Sequence, residues 1–167
     1  MGTSDRSGRK NNLPFQFSRP KMMKFLIEYG HKPEQRRLSY VLNEYSFTID
    51  PFVEQIDFNI AINFLNLTVV NNKVVQVDGF CPNGSWVKSN YEVPLYRPGI
   101  LKIAHDLKLG TSYKLNDADW PIYVNIKTGW VCIGNPEIKA QAVEFINNCV
   151  AVVDDSKLVA LWLKPQY

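Results

Sequence analysis

Alternation of apolar and polar side chains between Asp57 and Phe80 limits what this chain can fold into more than any other feature. Phe58, Ile60, Ile62 and Phe64 alternate with Asp57, Asn59, Ala61 and Asn63, the period-two pattern of a strand with one buried face. The phase then slips by one residue, and Leu65, Leu67 and Val69 carry the apolar face onward. A slip of this kind inside one strand predicts a β-bulge. Asn71-Asn72 supplies two residues that tolerate positive φ, so residues 73–80 are expected to return as the partner strand of a hairpin.

A second hairpin is written into residues 120–135, where two β-rich runs flank Lys127-Thr128-Gly129. Asn135-Pro136-Glu137 then offers a capping residue, a proline suited to the first helical position and an acid for the first turn. Ile138, Ala142, Phe145, Ile146, Cys149, Val150 and Val153 follow at helical spacing, which predicts a helix. That helix is expected to end before Asp154-Asp155, because carboxylates are unfavourable at a helix C-terminus. The run from Leu158 to Leu163 predicts a last strand.

Nearer the front, residues 23–29 suit a first strand, and residues 33–45 a helix with Leu38, Val41, Leu42 and Tyr45 on one stripe. Residues 46–50 suit a short strand; residues 100–107 and 111–115 are weaker strand candidates. Together these elements predict an α+β fold: a single domain over residues 22–167, with a mainly antiparallel sheet and about two helices packed on one face.

A chain of 167 residues suffices for one domain with a real core. Its net charge of +3 conceals an asymmetry. Residues 1–37 carry nine Lys and Arg against three acids, whereas the remainder carries ten against thirteen. The polar residues 1–21 read as a flexible N-terminal tail that buries too little to offset its ordering. Met22-Met23 opens the first apolar run, so a later start codon or an Arg-rich targeting peptide are further readings of that tail. The slightly acidic body argues against specific nucleic-acid binding, which asks for a basic face. No apolar run reaches the roughly 18–20 residues of a membrane span, and no signal peptide is visible. Three cysteines without close spacing read as buried free thiols. A cytoplasmic location is the expectation.

Residues that could carry chemistry are few. His31 and His105 have no histidine or cysteine at ligand spacing, so no metal site is expected. There is no Gly-rich phosphate loop, and no cofactor is expected. Cys81 lies in a loop, and a Cys81–His105 pair oriented by Asp106 or Asp78 would make a nucleophile; the plainer reading is a half-buried thiol. Asp117 and Asp119 beside Trp120 would suit acid–base work against an aromatic wall; they equally suit a turn. Trp86, Tyr91 and Tyr96 fall in a Pro-rich stretch, where surface aromatics serve as binding anchors.

No motif supports transfer of function from a family. The general texture of a small α+β domain with no catalytic set resembles the accessory, immunity-type proteins of bacterial toxin systems, which work by plugging a partner. The absence of a catalytic set, together with the aromatic stretch, makes a non-enzymatic protein-binding role the leading expectation, with another protein as partner engaged through residues 80–96; toxin neutralisation is the form that the resemblance implies. A small hydrolase or transferase using Cys81 with His105, or Asp117 with Asp119, is the first alternative. A small-molecule-binding domain with its pocket between helix and sheet is the second.

Overall fold

Residues 23–104 and 109–167 are described in the structure, a computed structural model. They form one sheet of fourteen strands. The first six are β1 (Phe25–Tyr29), β2 (Arg37–Val41), β3 (Ser46–Asp50), β4 (Phe58–Ile62), β5 (Leu65–Val70) and β6 (Lys73–Phe80). Next come β7 (Val87–Lys88), β8 (Arg97–Ile103), β9 (Ser112–Lys114) and β10 (Ile122–Val124). The last four are β11 (Val131–Gly134), β12 (Gln141–Ile146), β13 (Cys149–Asp154) and β14 (Lys157–Leu163). Along its main path the sheet runs β7-β10-β11-β14-β13-β12-β8-β6-β5-β4-β9, with β1 added to β8 and the β2–β3 pair added to β6. Pairing is antiparallel except at β7–β10, β8–β12 and β4–β9.

Strand β8 is the seam between two meanders. It joins β12 only at Val143↔Arg97 and Glu144↔Pro98, and β6 only at Lys73↔Lys102. The sheet curls there into a half-barrel, and the inner faces of both meanders share one core. Ile60, Leu67 and Val77 from one side meet Ile133, Phe145 and Leu161 from the other. Ile60, Leu67 and Leu161 are inaccessible to solvent, and burying each such side chain stabilises the fold by about 1.5–3 kcal/mol.

The antiparallel character is as expected, but the two helices are not there. Among the described residues the only helical turns are 3₁₀ turns at Leu42–Glu44 and Asn83–Ser85. The α+β reading is therefore corrected to a nearly all-β fold. Residues 33–45 fail as a helix because burial there has period two: Leu38 and Tyr40 point inward, and Leu42 and Tyr45 of the supposed stripe are exposed. Arg37 to Val41 pairs with β3 throughout its length.

Residues 136–153 fail for a different reason. Val143, Phe145 and Ala151 face the main core, while Ala142, Val150 and Val152 face a second apolar cluster. A strand buried on both sides shows no alternation, and its apolar positions can fall at helical spacing by chance. The β-branched content and Asn147-Asn148 carried the true signal, for Asn148 takes φ 64° in the turn between β12 and β13. The Asn135-Pro136-Glu137 cap becomes a turn instead, with the Glu137 N–H donating to Asn135 Oδ1 at 3.0 Å.

The phase slip after Asn63 is also a turn. Asn63 has φ 54°, and β4 pairs back on β5 with Ile62 opposite Leu65. A bulge does occur in this meander, one step further on, between Thr68 and Val69. Asn71-Asn72 forms the expected two-residue turn, both with positive φ. The 120–135 hairpin and the last strand form as expected.

Candidate functional site

Because β11 to β14 are apolar on both faces, their outer side needs a cover of its own. Trp130, Cys132, Val150, Val152, Ala160 and Trp162 form the outer cluster. The chain from Ser89 to Tyr96 crosses it as an extended strap. The Ser89 N–H donates to the Val124 carbonyl at 2.9 Å, and Asn125 Nδ2 donates to the Tyr91 carbonyl at 2.9 Å. Asn125 is buried, and its Oδ1 also accepts the N–H of Lys127 at 3.0 Å, so one amide fixes both the strap and the β10–β11 turn.

The cover is incomplete. Tyr91, Val93, Tyr123, Ala140 and Val159 pack on the outer cluster but remain only partly buried. One hollow opens between the strap and Lys139-Ala140. A second is lined by Trp120, Tyr123, Pro136, Ile138 and Val159. The Tyr91 and Tyr123 rings meet edge to face at 5.3 Å and join the two hollows. Gly134 shapes the floor. It has φ +117°, and a Cβ there would stand 2.5 Å from the Val159 carbonyl and 3.1 Å from the Trp120 ring, so Trp120 lies against bare backbone. Glu92 and Glu137 face Lys139 and Lys157 around the rim.

The three aromatic anchors read from the sequence do not form one patch. Trp86 packs inward on the main core, edge to face with Tyr40 at 5.0 Å and stacked on Phe47 at 6.0 Å. Tyr91 lies in the outer groove. Tyr96, at the end of the strap, lies edge to face with Trp130 at 6.2 Å and lines neither hollow. Burial pushes the Tyr96 hydroxyl above its ordinary value, with Glu144 adding to the effect. Tyr123 and Val159 were not singled out as binding residues by sequence; the pairing of β10, β11 and β14 sets them on the same outer face, where Tyr123 meets Tyr91.

The residues considered for catalysis sit in different settings, and the His105 half of the Cys81–His105 pair lies outside the described residues. Cys81 is buried, and burial pushes its thiol up to about 11, with the neighbouring Trp86 indole N–H opposing part of the shift. That N–H has no hydrogen-bond partner of good geometry. Cys132 is pushed up to about 12 and Cys149 higher still, again by burial. A thiol that stays protonated is a poor nucleophile. His105 and Asp106 lie outside the described residues, as does the 1–21 tail. Asp117 and Asp119 stand exposed on the turn before β10, whose backbone is held by Asn63 and Asn116. Among the described residues no group of His, Cys, Asp and Glu could hold a metal ion, and no helix is long and apolar enough to cross a membrane.

Comparison with protein-family models, with curated proteins and with solved structures returned no match, so no family is assigned and the functional reading rests on the geometry of this site.

Proposed function

We propose that this chain is a non-enzymatic protein-binding module that holds an extended, apolar segment of another protein along the outer groove. The observation that carries this reading is the half-covered floor of Tyr91, Val93, Tyr123, Ala140 and Val159 over an apolar cluster. Its rim carries both signs of charge, Glu92 and Glu137 with Lys139 and Lys157. An apolar trough between two extended segments suits a peptide bound by side-chain pockets. A rim of mixed sign fixes its register. Neutralisation of a toxin is one form such binding would take, and its support is the texture of the sequence. Three buried thiols support a reducing, cytoplasmic setting.

Selection from a displayed library of random peptides tests the groove. Enriched peptides are expected to share apolar residues at alternate positions and to lose binding to Tyr91→Ala and to Ile138→Asp. Both variants should keep the wild-type melting temperature within a few degrees, because each side chain is only partly buried. No enrichment, or enrichment indifferent to both substitutions, would remove the groove from the reading.

A further inference from the structure

The outer face of the other meander, across β4, β5 and β6, is of another kind. Partners across β4, β5 and β6 place Asn59, Thr68 and Gln76 in one outward row, and Ala61, Asn66 and Asp78 in the next. The first row is internally satisfied. Thr68 Oγ1 donates to Asn59 Oδ1 at 3.1 Å, Gln76 Nε2 donates to Thr68 Oγ1 at 3.4 Å, and Gln76 Oε1 accepts the Val53 N–H at 2.7 Å. The second row is not. Among the described residues neither the Asp78 carboxylate nor the Asn66 amide has a hydrogen-bond or ion-pair partner in the protein, although Asp78 is sunk far enough for burial to raise its pKa.

Two aromatic rings close the second row. Phe64 and Phe80 meet edge to face at 6.3 Å. They are 66% and 47% exposed, and a pair of phenylalanines left that open on a sheet face is unusual. Opposite Ala61 on the same face is Lys114, whose ammonium lies 5.9 Å from the Phe64 ring centre and donates to the Asn63 carbonyl at 3.2 Å. Ala61, small and buried, forms a low point among these larger side chains.

We propose that this recess binds a neutral saccharide. The donors and acceptors are mixed: Asp78 only accepts, Lys114 only donates, and Asn66 does both. Hydroxyl groups are the ligand chemistry that meets all three, since each can donate and accept. A half-buried carboxylate without a partner is expensive, and vicinal hydroxyls would satisfy it. Exposed phenyl faces would take the C–H face of a sugar ring, which is apolar. A cation would meet Lys114 and an anion would meet Asp78, so neither suits the recess as a whole. An apolar peptide would leave the amides and the carboxylate unpaired. This proposal uses none of the groove-lining residues and does not rest on the reading of the outer groove.

Saturation-transfer NMR on the full chain tests the proposal. The probes are methyl glycosides of D-glucose, D-galactose, D-mannose and N-acetyl-D-glucosamine, with linear β-linked trisaccharides of the first and the last. At least one is expected to receive saturation on its ring protons. Phe64→Ala and Asp78→Asn should each weaken that ligand by about tenfold or more, and Tyr91→Ala in the other groove should leave it unchanged. Phe64 is exposed, so its loss is not expected to unfold the chain, and a circular-dichroism melt checks this. Absence of transfer from every probe would overturn the proposal. So would transfer that survives both substitutions, or binding of spermidine at Asp78 in place of any sugar.

Discussion

Asn63 and Asn116 hold each other: Asn116 Nδ2 donates to Asn63 Oδ1 at 2.7 Å, and the Asn63 backbone N–H donates to Asn116 Oδ1 at 3.2 Å. The same Asn63 Oδ1 accepts the Trp120 N–H at 2.9 Å, while Asn63 Nδ2 donates to the Trp120 carbonyl at 3.1 Å. One turn of the β4–β5 hairpin thereby fixes where β10 begins and where Trp120 stands at the groove. Asn116 is buried, so Asn116→Ala leaves several polar groups unpaired. It is expected to cost about 1–3 kcal/mol in urea unfolding. Asn63 adds a backbone component through its φ of 54°. Asn63→Gly should therefore be less destabilising than Asn63→Ala by about 1 kcal/mol, and equal losses would show that the backbone contributes nothing.

The thiols make a second test, and it separates gripping from reacting. Burial raises Cys81 to about 11 and Cys132 to about 12. In the native protein near pH 7, iodoacetamide is expected to modify no cysteine as fast as it modifies a peptide thiol. All three should react once the chain is unfolded in guanidinium. Fast single-site alkylation of Cys81 would revive the nucleophile that the loop composition suggested.

Two aspartates should report pH with opposite signs. Asp57 Oδ2 accepts the Asn71 N–H at 2.8 Å, and that hydrogen bond, with a second from Gln55, lowers its pKa below the ordinary 3.8. A depressed folded-state pKa contributes stability above about 3.8 that is lost as pH falls through the folded value. Asp78 is the reverse, raised above 3.8 by burial. Its folded state binds the proton more tightly, so stability falls as pH rises from 3.8 through the raised value. Asp78→Asn should raise the melting temperature at pH 7 and lose that advantage near pH 4. Asp57→Asn should lower it at pH 7 and matter less in acid. Parallel behaviour of the two variants would show that one assignment is wrong.

Half of this fold was legible in the chain because half of it obeys simple alternation. Strands β4 to β6 have one apolar and one polar face, and Asn71-Asn72 marks their turn. Strands β12 and β13 are apolar on both faces, so the strand period vanishes and a spurious helical spacing remains. The distinguishing clue was local, a second Asn-Asn pair at 147–148 with positive φ at Asn148. The groove was less legible still. Tyr91 could be flagged by its place in a Pro-rich stretch, but Tyr123 and Val159 join it only through pairings of β10, β11 and β14 that no local pattern encodes. The saccharide face was hidden in plain alternation, because a polar outer face reads as ordinary solvated surface until Asp78 is seen unpaired.

Trp86 shows why sequence position alone misplaces an anchor. It sits in the loop that follows β6, yet its ring fills the space between Tyr40 and Phe47 at the edge of the main core. Tyr40 is tied to the same region, its hydroxyl donating to the Cys81 carbonyl at 2.7 Å. The ring is partly buried but packed on two core aromatics, so Trp86→Ala is expected to cost about 3 kcal/mol, the low end for loss of a packed tryptophan. Trp86→Phe keeps most of the packing and removes a buried indole N–H that lies near the Cys81 thiol but makes no hydrogen bond of good geometry. Loss of ring volume and relief of that unpaired donor then oppose each other, and the net change should stay within about 1.5 kcal/mol. Tyr91→Ala, at a partly buried groove position, should fall well below the Trp86→Ala loss in the same urea titration. A peptide-binding defect in Trp86→Phe, without loss of stability, would place this ring at the surface and reverse its assignment to the core.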